Sequence, residues 1–219
     1  MVETELGSLT EQRTTETVFW TRFSTEAFTD VNWDDPEMCH RQIMRLFNTR
    51  LVGNPRERRE RSGILYRVDV VDGLPIVTVQ SWVAPELLPA GARMMEVPKS
   101  AWTIETGAQV VFRVAVNPIK RSGKNSGHRE RLAKDDELVE WIESRLGATV
   151  SDLNILSHLR DVVGQRTKQD GSKGRILTVD TFDCSAVVSD SAQFEALRRN
   201  GVGRSKSYGC GLLTAQKID

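Results

Sequence analysis

The stretch 200-NGVGRSKSYGCGLLT-214 places four glycines and two cations within fifteen residues near the end of the sequence. Glycine at this density indicates a backbone that approaches another group closely or adopts positive φ angles. The pattern 189-SDSAQFEALRRNG-201 predicts a helix before it, and an apolar strand pattern follows. Dinucleotide fingerprints and P-loops have the reverse order of strand, glycine loop and helix, and their glycine spacings also differ. The stretch therefore argues against a nucleotide cofactor, and we expect no cofactor of any kind.

Working outward, the second half of the sequence predicts the order strand, helix, strand, strand, helix, strand. The segment 110-VVFRVAVNP-118 alternates as a strand, and 135-DDELVEWIESRLG-147 has the aspartate start and glycine end of a helix. Two extended segments around 152–161 and 175–188 come next, and a last strand at 210–215 follows the glycine stretch. This βαββαβ order is that of a ferredoxin-like domain.

The first half predicts the same order. A strand at 18–24 precedes a helix that opens at Asp34-Asp35-Pro36, where aspartate caps the helix and proline occupies its first position. The segment 64-ILYRVDVV-71 predicts a hairpin with the strand after it, and a short helix near 85–88 and a strand near 102–105 are expected to complete the unit.

The predicted fold class is therefore α+β, with two tandem ferredoxin-like domains. We expect a flexible N-terminal extension at residues 1–16, a first domain at 17–106 and a second domain at 107–219.

Charge is unevenly distributed, although 30 Lys and Arg balance 30 Asp and Glu. Residues 117–134 hold six Lys or Arg against one Glu, and two further basic stretches follow at 160–175 and in the last 22 residues. Three such stretches favour a local polyanion site over three unrelated solvated loops. No apolar run approaches the ~18 residues of a membrane span. The three scattered cysteines predict neither a disulfide framework nor a metal site, so the expected compartment is a reducing cytoplasm.

The glycine stretch resembles the glycine-rich loop of repeat-associated RNA-binding proteins of CRISPR systems. The segment 112-FRVAVNPIKR-121 resembles one branch of them, the endoribonuclease subunit of the type I-E Cascade complex (the CasE family). The turn 168-KQDGSKGRI-176 and the helix with His40 fall at matching places. The resemblance implies two ferredoxin-like domains, metal-independent cleavage of precursor CRISPR RNA at the base of each repeat hairpin, and assembly with other Cascade subunits.

Cleavage without a metal uses the adjacent 2′-hydroxyl as nucleophile and needs a group that moves a proton, for which histidine is suited. From the helix pattern alone, a structural role for His40 is the simpler interpretation, because it lies at the edge of the buried stripe. The resemblance instead implies that His40 is the general acid or base. His128 and His158 are expected to be solvent-facing or RNA-contacting residues.

The chain departs from the family at Glu37, where the family often has a tyrosine three residues before the histidine. Glu37 shares a helix face with His40, so its carboxylate could orient the imidazole and favour the protonated form. Equally, Glu37 could only complement the positive end of the helix.

RNA contacts are expected along the strand after the domain boundary, in the basic turn and in the glycine stretch. The residues concerned are Arg113, Asn117, Lys120, Arg121, Arg166, Lys168, Lys173, Arg175, Gly203, Arg204, Lys206 and Gly209. The basic segment 50–63 fits a solvated loop better. Two alternatives stay open: a non-catalytic RNA-binding subunit with the same fold, and a ferredoxin-like protein that binds another polyanion.

Overall fold

The computed structural model of the chain describes residues 17–47, 62–122, 129–167 and 171–218. These ranges form two antiparallel four-stranded sheets and one two-stranded hairpin. The expected extension at residues 1–16 lies outside the described residues. None of the helices in the described ranges is long and apolar enough to cross a bilayer.

The first sheet has the strand order β2-β3-β1-β4, which is the order of a ferredoxin-like domain. Its elements are β1 (Thr17–Ser24), α1 (Pro36–Arg45), β2 (Leu65–Val71), β3 (Leu74–Ser81), β4 (Arg93–Pro98) and the short helix α2 (Lys99–Trp102). Asp35 caps α1 as predicted, because its Oδ1 accepts a hydrogen bond of 2.9 Å from the Glu37 amide. Cys39 and Ile43 bury the inner face of α1 against this sheet, and Phe47 just after the helix belongs to the same core.

The last part of the first domain differs from the prediction. Residues 82–92 contain no helix, so the prediction of a helix near 85–88 is wrong. The fourth strand is β4, and the strand expected near 102–105 is also wrong, because Trp102 ends α2. Every residue of β4 is exposed except the half-buried Val97. The strand therefore lacks the alternation of apolar and polar residues on which a sequence-based assignment depends.

The second sheet has the strand order β10-β5-β9-β8, again that of a ferredoxin-like domain. Its elements are β5 (Gln109–Val116), α3 (Leu138–Leu146), β8 (Val150–Gly164), β9 (Ile176–Val188), α4 (Ser191–Asn200) and β10 (Leu213–Lys217). A hairpin of β6 (Ile119–Ser122) and β7 (Arg129–Leu132) is inserted where the sequence predicted only a basic loop. The predicted class of two ferredoxin-like domains is therefore confirmed. We propose a boundary near residue 106, between α2 and β5.

The two domains meet where β2 lies against the glycine loop, which we define as residues 201–211. The Leu65 side chain comes within 2.9 Å of the position that a Cβ would occupy on Gly201. The Tyr66 hydroxyl donates a hydrogen bond of 3.2 Å to the Ser207 carbonyl. We call residues 65–67, with the residues of the second domain that they contact, the domain seam.

Arg67 completes the seam with a buried guanidinium. Its Nη1 donates to the carbonyls of Leu212 (3.0 Å) and Arg113 (3.2 Å), and its Nη2 donates to Thr214 Oγ1 (3.1 Å). Its Nε pairs with Asp69 at 2.8 Å, so the charge is compensated within the same strand. Because these acceptors belong to the second domain, one side chain ties the two sheets together.

We predict that Arg67→Ala lowers the free energy of unfolding by about 3 kcal/mol, because it removes the donor to three acceptors of the second domain and leaves Asp69 with the longer contact of 3.6 Å to Arg113. Urea unfolding measures this change. The matched control is Arg93→Ala on the exposed strand β4, which should change stability by less than about 0.5 kcal/mol. Similar effects for the two variants would contradict the role assigned to Arg67.

A second prediction compares two glycines with nearly identical φ angles, Gly211 (φ +88°) and Gly107 (φ +89°). A Cβ on Gly211 would lie 2.9 Å from the Val202 carbonyl oxygen, whereas nothing lies within 4 Å of a Cβ on Gly107. Alanine at Gly107 should lower the free energy of unfolding by about 1–2 kcal/mol, because a Cβ strains the backbone at this φ angle. Alanine at Gly211 should lower the free energy of unfolding by at least about 1 kcal/mol more than alanine at Gly107, because it also overpacks the loop. Equal losses in urea unfolding would show that the crowding of the loop is unimportant.

Candidate active site

The backbone of the glycine loop is fixed by contacts within the protein. All four of its glycines have positive φ, from +73° at Gly203 to +88° at Gly211. A Cβ on Gly203 would lie 3.3 Å from the Trp141 ring, and one on Gly209 would lie 3.3 Å from the Tyr66 ring. The glycines therefore serve the close approach of the loop to α3 and to the first domain.

Between these glycines the loop presents its polar side chains. Ser205 adopts a left-handed conformation (φ +58°), and its hydroxyl donates to Asn117 Oδ1 at 3.3 Å. A 3₁₀ turn follows at Lys206–Tyr208. This turn carries Tyr208 toward the first domain, because the neighbouring Ser207 carbonyl is held by Tyr66.

Three separate elements converge on the N-terminal half of α1. From the glycine loop, the Tyr208 ring meets the His40 ring edge to face, with centroids 6.3 Å apart and an interplanar angle of 70°. From the turn between β8 and β9, the guanidinium carbon of Arg175 lies 4.7 Å from the centroid of the same Tyr208 ring. At the end of β8, Gly164 packs against Pro36, whose Cδ lies 3.2 Å from the position of a Gly164 Cβ. His40 therefore meets an aromatic ring from the second domain, and a cation of the same domain stacks on that ring.

Glu37, at the position of the family tyrosine, contacts the cation of this cluster. Its Oε1 lies 3.6 Å from Arg175 Nε, and both side chains are about half exposed. The tyrosine that adjoins His40 is Tyr208, which comes from the glycine loop instead of from α1. The carboxylate thus anchors the guanidinium that stacks on Tyr208.

Arg113 and Asn117 lie deeper in the structure than the sequence suggested. Arg113 donates from Nε and Nη2 to Asp183 at 2.6 and 2.8 Å, in a cleft of about 860 Å³ between the two sheets. The hydrogen bond from Arg113 holds the pKa of the Asp183 carboxyl below its usual value. Asn117 is buried and donates to the Thr178 carbonyl at 2.7 Å. Both side chains thus have protein partners, and their contact with RNA stays a prediction.

Lys120, Arg121 and Arg204 also have acidic partners. Lys120 lies 3.1 Å from Glu140, and this hydrogen bond raises the pKa of the lysine. Arg204 and Arg121 lie 2.7 and 3.1 Å from the two carboxylate oxygens of Glu130, and they lower its pKa. Because Glu130 is on β7, it connects the inserted hairpin to the glycine loop. These three cations are accessible but partly neutralised.

The described ends of the basic turn lie next to α1, where Gly164 packs against Pro36 and Arg175 lies 3.6 Å from Glu37. Arg166, Lys173 and Arg175 are exposed there, and Thr167 and Lys173 pair across the turn. Lys168 and His128 lie outside the described residues. Of these exposed cations, Arg175 contacts the cluster around His40, through Tyr208 and Glu37.

His158 lies in the middle of β8 and pairs with a buried carboxylate. Its Nε2 donates to Asp180 Oδ1 at 2.6 Å, and its ring stacks on Phe182 with centroids 4.8 Å apart. Asp180 is fully buried and also accepts from Arg160 Nε at 2.9 Å. His158 thus helps Arg160 to compensate a buried carboxylate, which separates its role from that of His40.

Two of the residues that shape the site, Tyr208 and Arg67, were not singled out from the sequence. Tyr208 is the single aromatic residue of the glycine stretch, and that was the one available signal. Arg67 sits in a strand pattern that predicts a solvent-facing position, and nothing local marks it as buried.

Comparison with known proteins places the chain in a family. A family model described as "CRISPR associated protein" matches residues 18–216. The chain is 30% identical over 197 residues to the CRISPR-associated endoribonuclease Cse3 of Thermus thermophilus, a match that covers 82% of this chain and 89% of that protein. It is 29% identical over 137 residues to the CRISPR system Cascade subunit CasE of Escherichia coli, which covers 57% of this chain and 66% of the relative.

The fold is similar to that of a solved structure of Thermus thermophilus Cse3 bound to an RNA that represents a pre-cleavage complex. The TM-score is 0.70 at 21% identity, over 92% of this chain and 99% of that one. By the family match, which spans almost all of the residues that the structure describes, this chain belongs to the CRISPR-associated protein family.

Proposed function

We propose that this chain is an endoribonuclease that processes CRISPR repeat RNA. In detail, it binds the repeat hairpin, cleaves precursor CRISPR RNA at the 3′ base of the hairpin without a metal ion, and stays bound in the cytoplasm as a subunit of a Cascade complex. The observation that carries this proposal is the convergence of His40, Tyr208 and Arg175 beside a basic turn. The names of the Thermus and Escherichia coli relatives support the same activity and assembly.

The proposed reaction is an in-line displacement at phosphorus. The 2′-oxygen forms a bond to phosphorus while the bond from phosphorus to the 5′-oxygen breaks, which leaves a 2′,3′-cyclic phosphate and a 5′-hydroxyl. One proton leaves the nucleophile and one reaches the 5′-oxygen, and His40 is the group that exchanges a proton with the RNA. Arg175 stacks on the same Tyr208 ring that meets this imidazole, and the proposed role of its guanidinium is to stabilise the extra charge on the phosphate.

The RNA is proposed to run along the basic turn and the glycine loop. An A-form stem has a deep major groove that side chains cannot read easily, so contacts with its phosphates and shape are expected. Exposed cations suit such contacts, and the basic turn supplies them beside α1. The proposed RNA-contacting residues are Arg113, Asn117, Lys120, Arg121, Arg166, Lys168, Lys173, Arg175, Gly203, Arg204, Lys206 and Gly209.

We predict that His40→Ala slows cleavage of labelled repeat RNA by at least about 100-fold, because general acid–base catalysis contributes factors of that size. Gel analysis in EDTA measures the rate, and RNA affinity in the presence of excess unrelated polyanion should change less than about twofold. His158→Gln is the matched control, since this histidine pairs with Asp180 away from the cluster, and it should cleave normally.

Each other outcome of this experiment is informative. Unchanged cleavage by His40→Ala would remove His40 from the mechanism. A lack of cleavage by the unaltered protein would favour the non-catalytic RNA-binding subunit. If the excess unrelated polyanion displaces the repeat hairpin from the protein, the result would favour a general polyanion-binding protein.

A fourth prediction concerns the nucleophile. The cleavage position is first mapped from the 5′ end of the product, and the nucleotide before it is then replaced by its 2′-deoxy form. We expect this RNA to bind normally and to remain uncleaved, because the attacking oxygen is missing. A 2′-deoxy substitution one nucleotide further upstream serves as the control. Turnover at the modified position would rule out attack by the 2′-hydroxyl.

A further inference from the structure

The contact between Tyr208 and His40 joins the two domains at the proposed active site. His40 lies on α1 in the first domain, whereas Tyr208 ends the 3₁₀ turn of the glycine loop in the second. Their rings meet edge to face, with centroids 6.3 Å apart. Both side chains are half-buried, so each ring leaves part of its surface available to RNA.

The position of Tyr208 is fixed independently of His40. Its amide donates to the Ser205 carbonyl at 2.8 Å, and the preceding Ser207 carbonyl accepts from Tyr66 at 3.2 Å. The next residue, Gly209, has φ +83° and packs its backbone against Tyr66. The Arg175 guanidinium lies over the Tyr208 ring and is itself paired with Glu37. The ring is therefore held from its backbone and from one face.

A ring that is fixed in this way restricts the side chain that touches it. An imidazole on the exposed side of a helix samples several rotamers, and only those that aim a ring nitrogen at the reacting oxygen can transfer a proton. An edge-to-face contact favours one rotamer by an amount that corresponds to about threefold to tenfold in its population. Orientation of this kind acts on the rate of the bound complex and leaves RNA affinity unchanged.

We infer that Tyr208 is a positioning residue that orients the His40 imidazole for proton transfer through the edge of its ring. This inference rests on the proposed function, because it assigns the proton transfer to His40. It has a structural consequence: the competent active site is built from both domains, and the glycine loop takes part in catalysis by holding Tyr208 in place. The phenol hydroxyl is not required by this geometry, since the contact is made by the ring.

The test compares Tyr208→Leu with Tyr208→Phe in the full-length protein. The first readout is the NMR signal of the His40 side chain, measured in RNA-free protein with labelled histidine. The signal that disappears in His40→Ala is assigned to His40. We expect the ring-current shift of His40 to be kept in Tyr208→Phe and lost in Tyr208→Leu. This readout does not depend on RNA or on cleavage, so it tests the contact even if the proposed function is wrong.

The second readout is the single-turnover cleavage rate at saturating repeat RNA. Tyr208→Leu should be about threefold to tenfold slower, with unchanged RNA affinity and melting temperature, and Tyr208→Phe should restore the rate to within about twofold. A normal rate in Tyr208→Leu would overturn the inference, as would a slow rate that follows a loss of RNA affinity or of folding. A slow Tyr208→Phe variant would also overturn it, because the hydroxyl would then be the active group.

Failure of the inference and failure of the proposed function are distinguishable. If His40→Ala cleaves normally, the proposed function fails whatever Tyr208 does. If His40→Ala is inactive while Tyr208→Leu is fully active, the proposed function stands and the positioning role is wrong.

Discussion

The structure depends on the packing of one edge strand, β2, against the glycine loop of the other domain. Leu65, Tyr66 and Arg67 are consecutive, and each contacts the second domain through a different kind of interaction. Leu65 packs, Tyr66 donates a hydrogen bond, and Arg67 brings a compensated buried charge. Because all three contacts fall on one short segment, they fix the relative position of the two sheets together.

The glycine loop can accept this packing because its glycines have positive φ angles and no side chains. Side chains at Gly201 and Gly209 would collide with Leu65 and crowd Tyr66. The glycines thus serve the protein's own fold first, and the two cations between them, Arg204 and Lys206, lie on the part of the loop that is only partly buried. The same packing carries Tyr208 to His40, so the seam between the domains and the proposed active site are parts of one arrangement.

Local signals in the sequence were sufficient for most of the fold. The cap of α1 by Asp35, the glycine end of α3 and the alternation in β5 each predict an element that the structure contains. The exposed strand β4 was misplaced, because its residues carry no alternation. The hairpin of β6 and β7 was not predicted, since its residues belong to a basic, glycine-containing segment that reads as a loop.

The site was less predictable, because its contacts join residues that are far apart in the sequence. The resemblance singled out His40, but Tyr208 and Arg175 reach it only through the folding of the second domain. Likewise, composition marked the basic stretches but not the carboxylates of Glu130 and Asp183 that pair with some of their cations. Pairing of this kind depends on register and on packing between elements, which local patterns do not report.

The central claim is that RNA is cleaved where α1, the basic turn and the glycine loop meet. A structure of the protein with uncleaved repeat RNA, blocked by a 2′-deoxy nucleotide at the cleavage position, tests it most directly. We expect the scissile phosphate within about 3 Å of a His40 ring nitrogen, with Tyr208 against the imidazole. A scissile phosphate bound instead in the cleft beside Arg113 would contradict the account.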